Sequence, residues 1–126
     1  MYSLDARALA CDLRTVLVYK IFLPAEWNEF ETAGHFDGSP FDDASGFIHC
    51  SARAQVAGTA ARFFADEPAL VVAALDTEQL GGSLRWEESS DGESFPHVYA
   101  SLPFAAVAAV YQVAGPPAVD AVLPPA

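Results

Sequence analysis

An α+β fold is predicted for this 126-residue chain by three observations. The helical stretches lie early, the strand-like apolar runs lie mostly late, and no regular strand–helix–strand alternation links them. About six or seven strands and two main helices are expected. Residues 1–14 read as an N-terminal extension, 15–113 as a single α+β domain and 114–126 as a Pro/Ala-rich tail.

Taken in order, residues 1–14 lack a clear pattern beyond a possible helix from Leu4 to Leu13. The run from Thr15 to Phe22 is β-branched and aromatic, which suits a central strand ending before Pro24. Lys20, the only lysine of the chain, lies inside it. Pro24–Ala33 reads as a helix, since proline fits the first turn, Trp27, Phe30 and Ala33 recur every three residues, and Gly34 can close it. His35 to Ala44 is expected to be loop.

The stretch Ser45–Ser51 is the pivot. It reads as a strand opened by Gly46, with Phe47, His49 and Ser51 on one face and Ile48 and Cys50 on the other. Ser51 is placed to cap the next helix, Arg53–Ala65, whose buried stripe would be Val56, Ala60 and Phe63-Phe64. Ala69–Asp76 is apolar almost without interruption, as a strand covered on both faces should be. A short helical turn at Thr77–Leu80 ends at Gly81. Leu84–Glu87 alternates, Arg85 and Glu87 sharing one face and Leu84 and Trp86 the other. After the loop 88–94, Phe95 to Tyr99 repeats the device of the pivot with His97 between two aromatics. Pro96 argues for an edge or strand-start position. Phe104–Val113 supplies the last strand, and 115–126 has no pattern.

Composition excludes several classes of function. Seventeen acidic residues against six basic ones give a formal charge of −11, which repels a phosphate backbone and an anionic membrane. Two cysteines, Cys11 and Cys50, fit neither a disulfide framework nor a zinc pattern, and the histidines His35, His49 and His97 have no ligand-like spacing, with or without Asp42 or Asp43, so no metal is expected. No stretch approaches a membrane span and the N-terminus lacks a leader pattern, so a cytoplasmic protein is expected.

Chemistry concentrates on two histidines in alternating segments, His49 beside Phe47 and Ser51, and His97 beside Phe95 and Tyr99. Imidazole and phenol can hold a sugar hydroxyl or move protons near neutral pH, and an aromatic face can stack on a ring. Arg85 and Glu87 offer an anion contact and a carboxylate. A buried histidine with a capping serine, and a surface ion pair, account for the same residues without function.

These segments carry a resemblance. Val18-Tyr19-Lys20-Ile21, Glu26-Trp27, Gly34, Phe36, Gly38-Ser39, Gly46-Phe47-Ile48-His49 with Ser51 and Gln55, Leu84-Arg85-Trp86-Glu87, and Phe95-Pro96-His97 with Tyr99 resemble the small bacterial family known as domain of unknown function 952. Ser45 stands where that family usually has aspartate, and Cys50 where it usually has leucine. The family is grouped with ADP-ribosyltransferase-like folds, which implies two small packed β-sheets forming a cleft. The order of elements is also similar to the tRNA 2′-phosphotransferases, though tRNA itself is a poor substrate for a chain whose core offers Lys20, Arg53, Arg85 and little more.

Under the resemblance, Lys20 occupies the first-strand polar position, His49 and Ser51 the His-x-Ser step, and His97 or Tyr99 the third catalytic position, with Glu87 the nearest glutamate. The implied function is a transferase or hydrolase acting on NAD or a related nucleotide, with His49, His97, Tyr99 and Glu87 catalytic. Lys20, Ser51, Phe47, Arg85, Trp86 and Phe95 would bind the ligand, Arg85 at the pyrophosphate and Phe95 or Tyr99 by stacking. A non-catalytic small-molecule binding protein using the same cleft is the alternative. Oligomeric state is not legible.

Overall fold

The computed structural model describes residues 16–125, so the N-terminal extension lies outside the described residues. Its organising strand is β4 (Leu70–Asp76), which pairs antiparallel with β1 (Leu17–Phe22) on one side and β8 (Val107–Val113) on the other. The apolar run follows from this central position. Val71, Ala73 and Leu75 enter a core with Phe22, Trp27, Phe30 and Leu102, whereas Leu70, Val72 and Ala74 enter a second core with Val56, Ala60, Val119 and Leu123. Both faces are dry, so no polar alternation survives.

The fold class is α+β, with eight strands and five α-helices among the described residues. Three small antiparallel sheets are present where two were expected: β1-β4-β8, β3-β6-β5 and the two-stranded β2-β7. Helix α1 (Pro24–Ala33) spans the predicted residues and ends at Gly34, whose φ of 83° is left-handed. The segment His35 to Ala44 is not loop. It contains β2 (His35–Phe36) and α2 (Pro40–Ser45), and β2 pairs with β7 (Leu102–Pro103).

The six residues of α2 are too few to show apolar periodicity, and the helix is set by its start signals. The Ser39 hydroxyl accepts from the Asp42 amide, the Asp42 carboxylate accepts from the Ser39 amide, and Pro40 fills the first turn. Gly46, at a φ of 87°, then turns the chain into β3 (Ile48–His49).

The pivot is therefore a shorter strand than expected. Ser51 does not cap the following helix; its amide and carbonyl pair with Tyr19 of β1, and its hydroxyl donates to Thr59. The expected helix Arg53–Ala65 is a 3-10 turn at Arg53–Gln55 followed by α3 (Val56–Phe63). Val56 and Ala60 are buried, but Phe63 is half exposed, which removes it from the core stripe. A further turn, α4 (Thr77–Leu80), leads towards β5 (Leu84–Glu88), which pairs with β6 (Ser94–Val98).

Pro96 does not mark an edge. β6 is the middle strand of its sheet, and the proline is accommodated because β3 is so short: Pro96 accepts from the Cys50 amide just past the end of β3 and cannot return the bond. The last strand is likewise shorter than expected, because Phe104–Ala106 is a 3-10 turn before β8.

The Pro/Ala-rich end of the chain is ordered structure. It forms a 3-10 turn at Pro116–Ala118 and α5 (Val119–Val122), burying Val119 and Leu123 against α3. Arg53 fastens it, with Nη1 2.8 Å from Asp120 Oδ1 and further bonds to the carbonyls of Leu123 and Pro124. Arg53→Ala is expected to cost about 1 kcal/mol, since Asp120 is exposed but two carbonyl contacts go with the ion pair. Hydrogen exchange should show the loss as faster exchange confined to residues 116–123.

Candidate functional site

The site begins with a physical demand made by β1. An ammonium on Lys20, inside an apolar strand and only 6 % exposed, needs a counter-charge. The counter-charge is Asp42, on the first turn of α2 and 2 % exposed, with Oδ2 3.0 Å and Oδ1 3.3 Å from Lys20 Nζ. The same carboxylate accepts from the amides of Ser39 at 2.9 Å and His49 at 3.0 Å, and lies 2.6 Å from His49 Nδ1.

Burial by itself would raise the Asp42 pKa, but the His49 ring, Lys20 and the two amides outweigh it and hold the carboxyl far below the usual range. Asp42 is thus an acceptor only, so the proton in the contact belongs to His49 Nδ1, and in the neutral ring the lone pair is on Nε2. The imidazole is clamped between Phe41, stacked at 4.3 Å and 12°, and Phe47 at 4.7 Å.

A second arrangement of the same kind stands opposite on β6. His49 and His97 are register partners in the β3–β6 pair, with ring centroids 5.8 Å apart. His97 Nδ1 lies 2.7 Å from Glu87 Oε1, and Tyr99 donates to that oxygen at 2.7 Å. These two bonds, Tyr99's first, lower the Glu87 pKa, and the shared bond raises that of the Tyr99 phenol. Phe47 stacks on His97 at 3.9 Å, so a single ring packs against both imidazoles.

The two rings face a cleft of about 620 Å³, within the range of small-molecule sites. Six of the predicted residues line it: His49, His97, Lys20, Ser51, Phe47 and Phe95. Four do not. Glu87 and Tyr99 stand behind His97, and Arg85 lies over the Tyr99 ring at 5.0 Å. Trp86 is opposite Pro96, on the other face of β5, and is 49 % exposed. Alternation along β5 separates Trp86 from the histidine face, while Arg85, opposite His97, turns its guanidinium onto the Tyr99 ring instead of into the cleft.

The cleft's arginine is instead Arg62 of α3, which has no carboxylate partner among the described residues. Phe41 and Phe63, both about half exposed, stand at its rim with centroids 5.3 Å apart. Asp42, Arg62, Phe41 and Phe63 are the site residues that sequence reasoning missed. The available signal for Asp42 was the Ser39-Pro40-Phe41-Asp42 helix start together with a lysine in an apolar strand.

Cys50 borders the cleft from the core, where burial pushes its thiol up to about 12, which rules out a thiolate nucleophile at neutral pH. A shallower depression of about 600 Å³ beside the end of α1 holds the exposed His35–Asp37 pair, 2.9 Å apart, and no comparable cluster. No described helix is long and apolar enough to cross a membrane.

A family model described as "Protein of unknown function (DUF952)" matches residues 21–110. Among solved structures, the X-ray structure of protein CC0527 from Caulobacter crescentus is 42% identical, with a TM-score of 0.74 over 78% of this chain and 86% of that one. The solution structure of CC0527 is 39% identical, with a TM-score of 0.71 over 83% of this chain and 95% of that one. No curated protein matches.

Proposed function

The chain belongs to the DUF952 family, and we propose that its cleft serves a transferase or hydrolase reaction on NAD or a related nucleotide, in an ADP-ribosyltransferase-like arrangement of small sheets. The observation that carries this reading is the pair of imidazoles on β3 and β6, each held by a carboxylate at Nδ1 and each lining one cleft. A histidine anchored in this way has its tautomer and ring plane set before the substrate arrives, and its free Nε2 can take or give a proton.

The rest of the cleft fits such a ligand. Phe41, Phe47, Phe63 and Phe95 present aromatic surface, Arg62 and Lys20 supply positive charge, and Ser51 and Thr59 supply hydroxyls. Arg62 takes the anion-binding role expected of Arg85. His49 is the base that removes a proton from the acceptor, be it water or another hydroxyl.

Thermal unfolding with millimolar NAD tests the reading. A ligand at ten times its Kd adds about 1.4 kcal/mol, a rise of about 5–10 °C in Tm for a domain of this size. The wild type should show the rise and His49→Ala should not, while nicotinamide or AMP accumulates only with the wild type. A shift without product would favour the binding protein over the enzyme. No shift with NAD, ADP-ribose or AMP would remove nucleotides as the ligand.

A further inference from the structure

We infer that the bond broken in this cleft is a nucleoside phosphodiester whose leaving oxygen must be protonated, with His49 as general base and His97 as general acid. The inference rests on the nucleotide reading above and narrows it to one substrate class, the ribonucleoside 2′,3′-cyclic phosphates.

The cleft holds more proton-transfer groups than cleavage of NAD needs. Cleavage of the glycosidic bond of NAD releases nicotinamide as a neutral base that takes its bonding electrons and needs no proton. One imidazole would suffice there. Here two stand 5.8 Å apart on neighbouring strands, each anchored through Nδ1. A reaction that takes a proton from one oxygen and returns one to another uses both.

The charge that the cleft can stabilise points the same way. A glycosyl transition state is positive and calls for a free carboxylate. The carboxylates nearest the imidazoles are both engaged: Asp42 by Lys20, Ser39 and His49, and Glu87 by His97 and Tyr99. Of the other acidic residues that line the cleft, Glu26 already accepts from the Leu23 amide and Glu88 sits at the end of β5 opposite Ser94, and the cations there are Lys20 and Arg62. Lys20 hydrogen-bonds only to the two Asp42 oxygens among the described residues, its ammonium also lying 5.8 Å from the Phe36 ring centroid, and Arg62 has no acidic partner within ion-pair distance there. Such a lining suits the negative charge that develops on a phosphoryl group.

The neighbours of the two carboxylates distinguish the two histidines. The charge of Asp42 is already met by Lys20 at 3.0 Å, so a neutral His49 leaves that cluster balanced. Glu87 touches no lysine or arginine within ion-pair distance, and an imidazolium at His97 balances it. The base role therefore falls to His49 and the acid role to His97.

The step balances. His49 Nε2 takes a proton from water, the water oxygen bonds to phosphorus, and the bond from phosphorus to O2′ breaks with its electron pair passing to O2′. His97 Nε2 protonates O2′, the product is a nucleoside 3′-phosphate, and proton exchange with solvent resets the two rings.

The test uses the leaving group. Wild type, His49→Ala, His97→Ala and His97→Asn are each assayed on adenosine 2′,3′-cyclic phosphate and on thymidine 5′-(4-nitrophenyl phosphate), whose nitrophenolate departs unprotonated, with nicotinamide release from NAD in parallel. The wild type should open the cyclic phosphate to one monophosphate isomer. Loss of His97 should slow that reaction about 100–1000-fold, within the span of general acid catalysis, and the nitrophenyl ester about tenfold or less. Loss of His49 should slow both alike.

Equal losses on both esters in the His97 variants would overturn the acid role, as would a wild type that turns over only the nitrophenyl ester, a measurement that needs no variant to fold. Nicotinamide release with no phosphodiester turnover would overturn the inference and leave the NAD reading standing. A thermal shift without any turnover would overturn it in favour of binding alone, and neither turnover nor shift would remove both readings.

Discussion

Asp42→Ala is expected to cost the fold about 3–5 kcal/mol, a large share of the 5–15 kcal/mol that holds a typical domain together. The reason is what remains. Lys20, 6 % exposed, keeps its charge without a partner, and the amides of Ser39 and His49 lose their acceptor. Urea unfolding should show the midpoint lowered by about 2 M with an unchanged slope. Removing the stranded charge as well, in Lys20→Met with Asp42→Leu, should recover part of the loss but not all, because the two amides and His49 Nδ1 stay unsatisfied. A double variant no more stable than Asp42→Ala would mean that the ion pair is not the main element.

The pH dependence follows in sign. The folded pKa of Asp42 lies below its unfolded value, so its stabilisation is whole above the ordinary carboxylate range near pH 4 and is lost as pH falls towards the folded value. Stability of the wild type should therefore fall more steeply below pH 4 than that of Asp42→Ala. Circular dichroism at a series of pH values reads the difference, and parallel curves would show that Asp42 is not the group that matters.

Asp42 also shows where sequence reading stops. β4 and α1 were legible because each carries its own signal along the chain: an unbroken apolar run for a strand covered on both faces, and a proline start, aromatic spacing and glycine stop for the helix. The common face of Phe47, His49 and Ser51 was legible too, because strand alternation is a local property. Asp42 lies 22 residues from Lys20 and seven from His49, on a helix too short to be periodic, and nothing local joins the three.

Long-range pairing hid the other surprises for the same reason. Tyr19 meeting Ser51, and β6 lying between β3 and β5, are properties of the assembled sheets, so Ser51 was misread as a cap and Pro96 as an edge residue. The buried stripe of α3 was misread for a different reason. Phe63 has the composition of a core residue but faces the cleft, and apolar side chains at a binding surface look in sequence like those in a core.

Phe22→Ala should cost about as much as the loss of Asp42, 3–5 kcal/mol, with a different consequence for the cleft. Phe22 is fully buried and is the centre of the aromatic core, 5.5 Å from Trp27, 5.5 Å from Phe30 and 5.0 Å from Phe36. Truncation leaves a cavity that three large rings cannot close without leaving their packing, and Phe22→Leu, which fills most of the volume, should cost less than half as much. Lys20 is only two residues away on the same face of β1. Its position is nonetheless set by the backbone, which β4 holds along its full length and which the Tyr19–Ser51 bridge ties to the pivot. Below its lowered Tm, Phe22→Ala should bind and turn over a cleft ligand within about threefold of the wild type, whereas Asp42→Ala, with His49 no longer anchored, should lose both about 100-fold, as removal of an orienting contact in an acid–base site does. Equal stability loss with unequal functional loss is the signature of a scaffold that is separable from its site. If Phe22→Ala also lost its activity at low temperature, the aromatic core would have to be counted as part of the machinery that places Lys20 and, through Asp42, the His49 ring.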